Sequence, residues 1–136
     1  MARASAEVTH NHPEGIKGAE SVATGIYLAL SGVGKTAIAA SLAEYWNLNF
    51  SLNEIRSDYE FDETCQGTVP QAIVAFLEST DFEDAIRNAV SLGGDSDTLA
   101  AITGSIAGAY YGIPDDMILR AFQYLDEYLS SKIEFY

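Results

Sequence analysis

The apolar run Leu99–Gly112 constrains the fold of this chain more than any other feature of its 136 residues. The run is long enough for about four helical turns. Its glycines at 104, 108 and 112 recur every fourth residue and so lie on one face of a helix. Because an interior glycine costs a helix about 1 kcal/mol relative to alanine, three on one face indicate that another backbone packs closely there. The sequence therefore predicts a central helix.

A polar stretch, Gly93–Thr98, leads directly into this run. If the helix begins near residue 96 or 97, then Asp95, Asp97 and Thr98 place their side-chain oxygens within one turn of its start. Oxygen-only donors of this kind suit Mg²⁺, Mn²⁺ or Ca²⁺ rather than zinc. A plain N-cap role explains one carboxylate equally well, although two carboxylates and a threonine exceed the needs of a cap. Spacing alone favours the cap, because acidic residues are common at helix starts and dedicated metal sites are not, and the metal site stays open as the alternative.

Composition excludes several classes of function. The formal net charge of −13 and the pI near 4.2 argue against binding to a phosphate backbone, which requires a basic surface. The single cysteine, Cys65, allows neither an intramolecular disulfide nor a cysteine-rich zinc site, as is typical of a reducing compartment. No apolar run is long enough for a transmembrane helix, and no secretory leader is visible. We therefore expect a cytoplasmic protein with neither a nucleic-acid nor a membrane partner.

Elsewhere the apolar residues recur at the three- and four-residue spacing of helices, and strand signals are nearly absent. The sequence predicts six or seven helices joined by short turns, in an all-α, multi-helix orthogonal bundle. One domain is expected to span residues 1–136, with a frayed start over residues 1–8. Thr68 is expected to cap a helix that carries Pro70 in its first turn, and Thr80 to open the next one with a capping box. The last helix is expected to reach Leu129.

The segment Gly34-Lys35-Thr36 matches a permissive form of the phosphate-binding loop. Such a loop requires a buried strand before it, so that the backbone amides and the lysine surround the phosphates. Here the preceding residues have the pattern of a helix. The sequence favours a turn between two helices, in which Gly32 and Gly34 end the first, and nucleotide triphosphate hydrolysis through Lys35 remains a weaker hypothesis.

Two other polar clusters have simple interpretations. His10 and His12 are the only histidines, and no further soft ligand lies near them in the sequence. We expect His12 to be a hydrogen-bonding residue of a loop. The acidic residues between 58 and 63 alternate with aromatic ones, and this pattern favours a solvated face over a metal site.

The polar stretch Gly93–Thr98 and the run Leu99–Gly112 together resemble the C-terminal signature of the ADP-ribosylglycohydrolase family. Residues 64–77, 81–92 and 9–20 resemble further segments of the same family. The resemblance implies that this chain is the C-terminal portion of an all-helical domain. It also implies hydrolysis of N- or O-glycosidic bonds to ADP-ribose with a pair of Mg²⁺ or Mn²⁺ ions. The substrate is then an ADP-ribosylated protein or an ADP-ribose-like small molecule.

The resemblance also assigns roles to particular residues. It makes Asp95, Asp97 and Thr98 the metal ligands. Because Asp97 lies at the helix start with the other two beside it, we expect it to be the catalytic carboxylate nearest both ions. It places His10 and Gly15 near the bound ADP-ribose.

One departure from the family carries its own expectation. Family members bear a Gly-Asp-Ala-Gly-like turn and a Thr-Asp-Asp-Thr-like motif that supply the other metal ligands, and this sequence contains neither. The expectation is a truncated domain with about half of a metal site, weak metal binding and impaired activity. The alternative is a non-catalytic helical module that forms a homo-oligomer through an exposed apolar half-interface.

Overall fold

The computed structural model describes residues 1–133, and within this range the secondary structure is entirely helical. The helices and their bounds are as follows: α1 (Ala2–Ala6), α2 (Pro13–Leu30), α3 (Lys35–Leu42), α4 (Leu52–Ile55), α5 (Cys65–Glu78), α6 (Phe82–Ser91), α7 (Ser96–Tyr111), α8 (Asp115–Phe122) and α9 (Glu127–Ser130). The predicted all-α class is confirmed. The described residues form nine helices rather than six or seven, because three helices have only four or five residues.

The predicted central helix is α7, which packs against α2, α5 and α6. It separates two hydrophobic clusters, and each contains buried residues of α5 and α7. Thr103 is fully buried in α7, and its hydroxyl donates to the carbonyl oxygen of Ala72 in α5 at 2.9 Å. The two helices are therefore held together by packing and by a buried hydrogen bond.

The glycines of α7 accommodate side chains rather than another backbone. A Cβ atom at Gly104 would lie 2.9 Å from Cδ1 of Ile86 in α6, and one at Gly108 would lie 3.2 Å from Ile113. Gly112 caps the C-terminus of the helix with a φ of 78°, a conformation that favours glycine. Close packing was thus predicted correctly at Gly104 and Gly108. Within the described chain, however, no atom beyond its immediate neighbours lies within 4 Å of a Cβ at Gly112, and the neighbours of the other two are side chains rather than a backbone.

Several helix ends differ from the sequence-based prediction. Helix α5 begins at Cys65 rather than near Pro70, because the Thr64 hydroxyl accepts a hydrogen bond from the Gly67 amide at 3.1 Å. Helix α6 is capped by Asp81, which accepts from the Asp84 amide at 2.8 Å, and not by Thr80. Capping by a different hydroxyl or carboxylate a few residues away explains both shifts.

Both ends of the described chain also differ from the prediction. The N-terminal end is helical where a frayed start was expected, and the C-terminal end has an interruption in the helix that was expected to be continuous. Residues 2–6 form α1, which packs on α2, and Arg3 Nε donates to Glu20 Oε1 at 3.1 Å. The single last helix predicted up to Leu129 is interrupted after Phe122 and resumes at Glu127, where the Asp126 carboxylate caps α9. None of the helices within residues 1–133 combines the length and the apolar character that a membrane span requires.

Candidate functional site

The turn Gly93–Asp95 delivers the two candidate carboxylates to the start of α7. Gly93 and Gly94 have φ values of 75° and 60°, so both lie in the left-handed region that favours glycine. Asp95 occupies the N-cap position, and its carbonyl oxygen accepts from the Leu99 amide at 3.0 Å. Among the described residues, however, no helix amide donates to the Asp95 carboxyl group. This side chain is therefore not used as a cap.

The Asp97 carboxyl group lies beside that of Asp95. The Asp95 carboxyl is within hydrogen-bonding reach of Asp97, and the Thr98 amide donates to Asp97 Oδ1 at 2.9 Å. The contact with Asp95 and then the hydrogen bond from Thr98 hold the pKa of Asp97 below its usual value. Asp97 and Thr98 are exposed and Asp95 is half-buried. The structure thus places the two carboxyl groups beside each other at the start of α7, with Thr98 as the next residue of the helix.

The chemistry of this donor set fits a hard divalent cation. Two adjacent carboxylates with a threonine hydroxyl nearby offer oxygen donors, and one of the carboxylates is not committed to the helix end. Within residues 1–133, no group of three or more histidine, cysteine, aspartate or glutamate side chains is arranged to hold an ion. The two carboxylates and the hydroxyl would therefore fill only part of a six-coordinate shell.

A residue that the sequence did not single out, Tyr59, lies against this turn. A Cβ atom at Gly94 would be 2.9 Å from Tyr59 Cε1, so the ring edge almost touches the backbone. The Tyr59 hydroxyl donates to the Gly67 carbonyl oxygen at 2.8 Å. Burial and then the charges of Asp62 and Asp95 raise the pKa of Tyr59, so its phenol remains a hydrogen-bond donor at neutral pH.

Of the four acidic residues between positions 58 and 63, three are exposed, as expected for a solvated face, and Asp62 is half-buried. The Asp62 carboxylate accepts from the Thr64 amide at 2.7 Å, and the Asp62 carbonyl oxygen accepts from the Thr68 hydroxyl at 2.7 Å. The Thr64 hydroxyl and then the Thr64 amide lower the pKa of Asp62. The spacing of Asp62 and Thr64 just before a helix was a sequence signal for this turn.

The two residues predicted to lie near the ligand, His10 and Gly15, are neighbours in a surface cleft. A Cβ atom at Gly15 would lie 3.3 Å from the His10 carbonyl oxygen, and His10 Nδ1 lies 2.8 Å from Thr9 Oγ1. The cleft has a volume of about 500 Å³. It is lined by Thr9, His10, Asn11, His12, Glu14, Gly15, Thr64, Cys65 and Gln66. His12 Nδ1 accepts from the Glu14 amide at 3.2 Å and caps α2, in agreement with its predicted role in a loop.

The first turn of α5 connects the cleft with the carboxylate pair. Residues 64–66 line the cleft, and the next residue, Gly67, accepts the hydrogen bond from Tyr59. Tyr59 in turn lies against Gly94, immediately before Asp95. The His10 cleft and the carboxylates are thus joined by a short chain of contacts around one helix end.

Lys35 has a structural role. It is the first residue of α3, and Gly34 is the N-cap of that helix rather than a C-terminal glycine of α2. The ammonium group donates to the carbonyl oxygens of Phe76 at 2.9 Å, Leu77 at 3.3 Å and Ser79. It also lies 5.0 Å from the centre of the Phe76 ring. Lys35 therefore caps the C-terminus of α5, and the interpretation as a turn between helices is confirmed.

Comparisons with known proteins agree on one family. The model of the family ADP-ribosylglycohydrolase matches residues 1–133. The ADP-ribosylarginine hydrolase Tri1 of Pseudomonas putida is 33% identical over 120 residues, which cover 78% of this chain and 30% of that protein. The ADP-ribosylhydrolase ARH3 of Homo sapiens is 42% identical over 57 residues, which cover 34% of this chain and 16% of that protein.

A solved structure is similar over most of the chain. It is described as an ADP-ribosylglycohydrolase-related protein complex, and it matches with a TM-score of 0.64 and 35% identity over 82% of this chain and 43% of its own. The chain thus spans less than half the length of each of these relatives.

Proposed function

Because the chain belongs to the ADP-ribosylglycohydrolase family, we propose that it takes part in metal-dependent hydrolysis of a glycosidic bond to ADP-ribose. The substrate is an ADP-ribosylated protein or an ADP-ribose-like small molecule, and the names of Tri1 and ARH3 support this class. The observation that carries the proposal is the pair of adjacent carboxylates, Asp95 and Asp97, at the start of α7, of which Asp95 makes no capping hydrogen bond within the described chain.

Asp95, Asp97 and Thr98 would hold Mg²⁺ or Mn²⁺. When bound, such an ion supplies a Lewis acid that orients the substrate's hydroxyl groups and lowers the pKa of a water molecule. Asp95 and Asp97 would supply the negative charge that attracts the ion, and together with Thr98 they would hold it in a fixed position. Asp97 is the candidate for the catalytic carboxylate, because it is exposed in the first turn of α7 and lies beside the Asp95 carboxyl group.

His10 and Gly15 would contact the ADP-ribose part of the substrate in the neighbouring cleft. Thr9 engages Nδ1 of His10, so Nε2 is the ring nitrogen that would meet a ligand. Because Gly15 has no side chain, its backbone can pack closely against the His10 carbonyl group. This contact fixes the turn that carries the His10 imidazole. The cleft then holds the nucleotide, and the carboxylates at the other side of the first turn of α5 act near the scissile bond.

The function is tested by release of ADP-ribose from ADP-ribosylated arginine. We expect the chain to release ADP-ribose in the presence of Mg²⁺ or Mn²⁺, at an impaired rate because its sequence carries only part of the metal ligands, to stop when EDTA removes the ion, and to resume when the ion is restored. Release that persists undiminished in EDTA would contradict the metal dependence. No release above the buffer control at any ion concentration would contradict the hydrolase function for this chain.

A specific observation favours a second candidate, self-association. Large apolar side chains are exposed on α2 and near the C-terminus of the described chain, among them Tyr27 at 69%, Leu30 at 71% and Leu119 at 67% exposure. Surfaces of this kind are often covered by another molecule. We expect a dimer or higher oligomer in light scattering at high protein concentration, and Leu30→Glu or Leu119→Glu should shift it toward the monomer. A wild-type chain that stays monomeric at every concentration rules this candidate out.

A further inference from the structure

We propose that Tyr59 is a positioning residue for the carboxylate pair: it fixes the Gly94–Asp95 turn against the first turn of α5. This inference rests on the metal-binding role proposed above for Asp95 and Asp97. In this account, divalent-cation affinity depends on the phenolic hydroxyl of Tyr59, although that hydroxyl is not itself a ligand.

The first support is the contact between the tyrosine ring and the turn. A Cβ atom at Gly94 would lie 2.9 Å from Tyr59 Cε1 and 3.0 Å from the Glu60 carbonyl oxygen. These distances leave no space between the loop and the backbone of Gly94. The turn therefore cannot shift toward the loop, and the direction in which Asp95 leaves it depends on where the ring lies.

The second support is that the tyrosine is itself held at two points. Its amide donates to the Ile55 carbonyl oxygen at 2.9 Å, at the end of α4. Its hydroxyl donates to the Gly67 carbonyl oxygen at 2.8 Å. The residues that follow Gly67 in α5, Thr68, Val69 and Pro70, are buried, so this hydrogen bond ties the ring to a rigid part of the core.

The third support is the packing around the ring. Tyr59 lies at the edge of the second hydrophobic cluster, which also contains Leu99 of the first turn of α7. Leu99 is fully buried, and its amide is bonded to the Asp95 carbonyl oxygen. The same hydrophobic cluster thus contacts the Tyr59 ring, which lies before Asp95, and Leu99 of α7, which follows Asp95. Asp95 has the two supports that a well-oriented ligand requires.

The phenylalanine variant separates this role from ordinary stability. Tyr59→Phe retains the aromatic ring but removes the hydroxyl that bonds to the Gly67 carbonyl oxygen and lies beside Thr68, so the ring is no longer fixed in its position against Gly94. We expect it to remain folded, with little change in melting temperature, and to bind Mn²⁺ about tenfold more weakly, as is typical when a support of a ligand is lost. The measurement is a Mn²⁺ titration followed by electron paramagnetic resonance, below the unfolding transition of every variant.

Tyr45→Phe is the matched control, because it also removes a tyrosine hydroxyl, in this case one that lies 3.4 Å from the Thr24 hydroxyl. We expect wild-type Mn²⁺ affinity for this variant. Gly94→Ala disturbs the same contact from the other side, because its methyl group would press on the ring and on the Glu60 carbonyl oxygen. A similar loss of affinity is expected for it.

The outcomes distinguish this inference from the function on which it rests. If the wild-type chain binds Mn²⁺ and Tyr59→Phe binds it equally well, the positioning role is wrong while the metal site stands. An equal loss in Tyr59→Phe and Tyr45→Phe also overturns the positioning role. If the wild-type chain binds no Mn²⁺ at all, the metal site itself is wrong, and the positioning role falls with it.

Discussion

Replacing both Asp95 and Asp97 by asparagine should lower the affinity of this chain for Mn²⁺ by more than about a hundredfold. Loss of an outer-shell partner costs about 10- to 100-fold, and these carboxylates are the proposed ligands themselves. Asparagine keeps the size of the side chain but removes the negative charge that a hard cation requires. The affinity is read from a Mn²⁺ titration by electron paramagnetic resonance, and circular dichroism monitors folding.

The double variant should remain folded. Asp97 is exposed, and no described helix amide donates to the Asp95 carboxyl group. The amide oxygen of an asparagine at position 97 can still accept from the Thr98 amide, so the substitutions remove little that stabilises α7. Asp115→Asn combined with Asp116→Asn is the control, because it removes the same number of charges just beyond the opposite end of α7, about 24 Å away for a 16-residue helix. Equal Mn²⁺ binding by the wild type and the double variant would show that the carboxylate pair is not a metal site.

Replacing Lys35 by methionine should lower the free energy of unfolding by about 2–3 kcal/mol. Hydrogen bonds to charged groups contribute about 1.5–3 kcal/mol each to stability, and the half-buried ammonium group serves three carbonyl oxygens at the end of α5. Methionine keeps most of the volume of the lysine's apolar chain but provides no donor for these carbonyl oxygens. Urea denaturation of the wild type and the variant measures the difference.

Lys132→Met provides the comparison for a lysine of an exposed segment. Its ammonium group lies 5.2 Å from the centre of the Tyr128 ring, and we expect a change within about 0.5 kcal/mol. An unfolding free energy unchanged by Lys35→Met would contradict the capping role. ATP binding that disappears in Lys35→Met while the protein stays folded would revive the hypothesis of a phosphate-binding loop.

The features of the candidate site that depend on residues close together in the sequence were predictable. The start of α7, the grouping of Asp95, Asp97 and Thr98, and the glycines that bend the preceding turn all follow from spacing within a few residues. The helical class follows in the same way from periodicity. Local capping choices, such as Asp81 in place of Thr80, were missed because several nearby side chains competed for the same amides.

The contacts made across the chain were not predictable. Tyr59 meets Gly94 from a loop that lies far from it in sequence, and Lys35 reaches the end of α5 from the start of α3. No periodic pattern marks such partners, because tertiary packing alone decides them. The alternation of charges between residues 58 and 63 correctly predicted that three of the four acidic side chains are exposed, but it did not predict the hydrogen bond by which the Asp62 carboxylate holds the turn before α5.

The most direct test compares hydrolysis of ADP-ribosylated arginine by the wild-type chain and by Asp97→Asn, both folded and supplied with saturating Mn²⁺. We expect the wild-type chain to release ADP-ribose and the variant to lose at least about 99% of the rate, a loss of roughly 2.7 kcal/mol in transition-state stabilisation. Equal rates for the two proteins would contradict the central claim that the carboxylates at the start of α7 support the reaction.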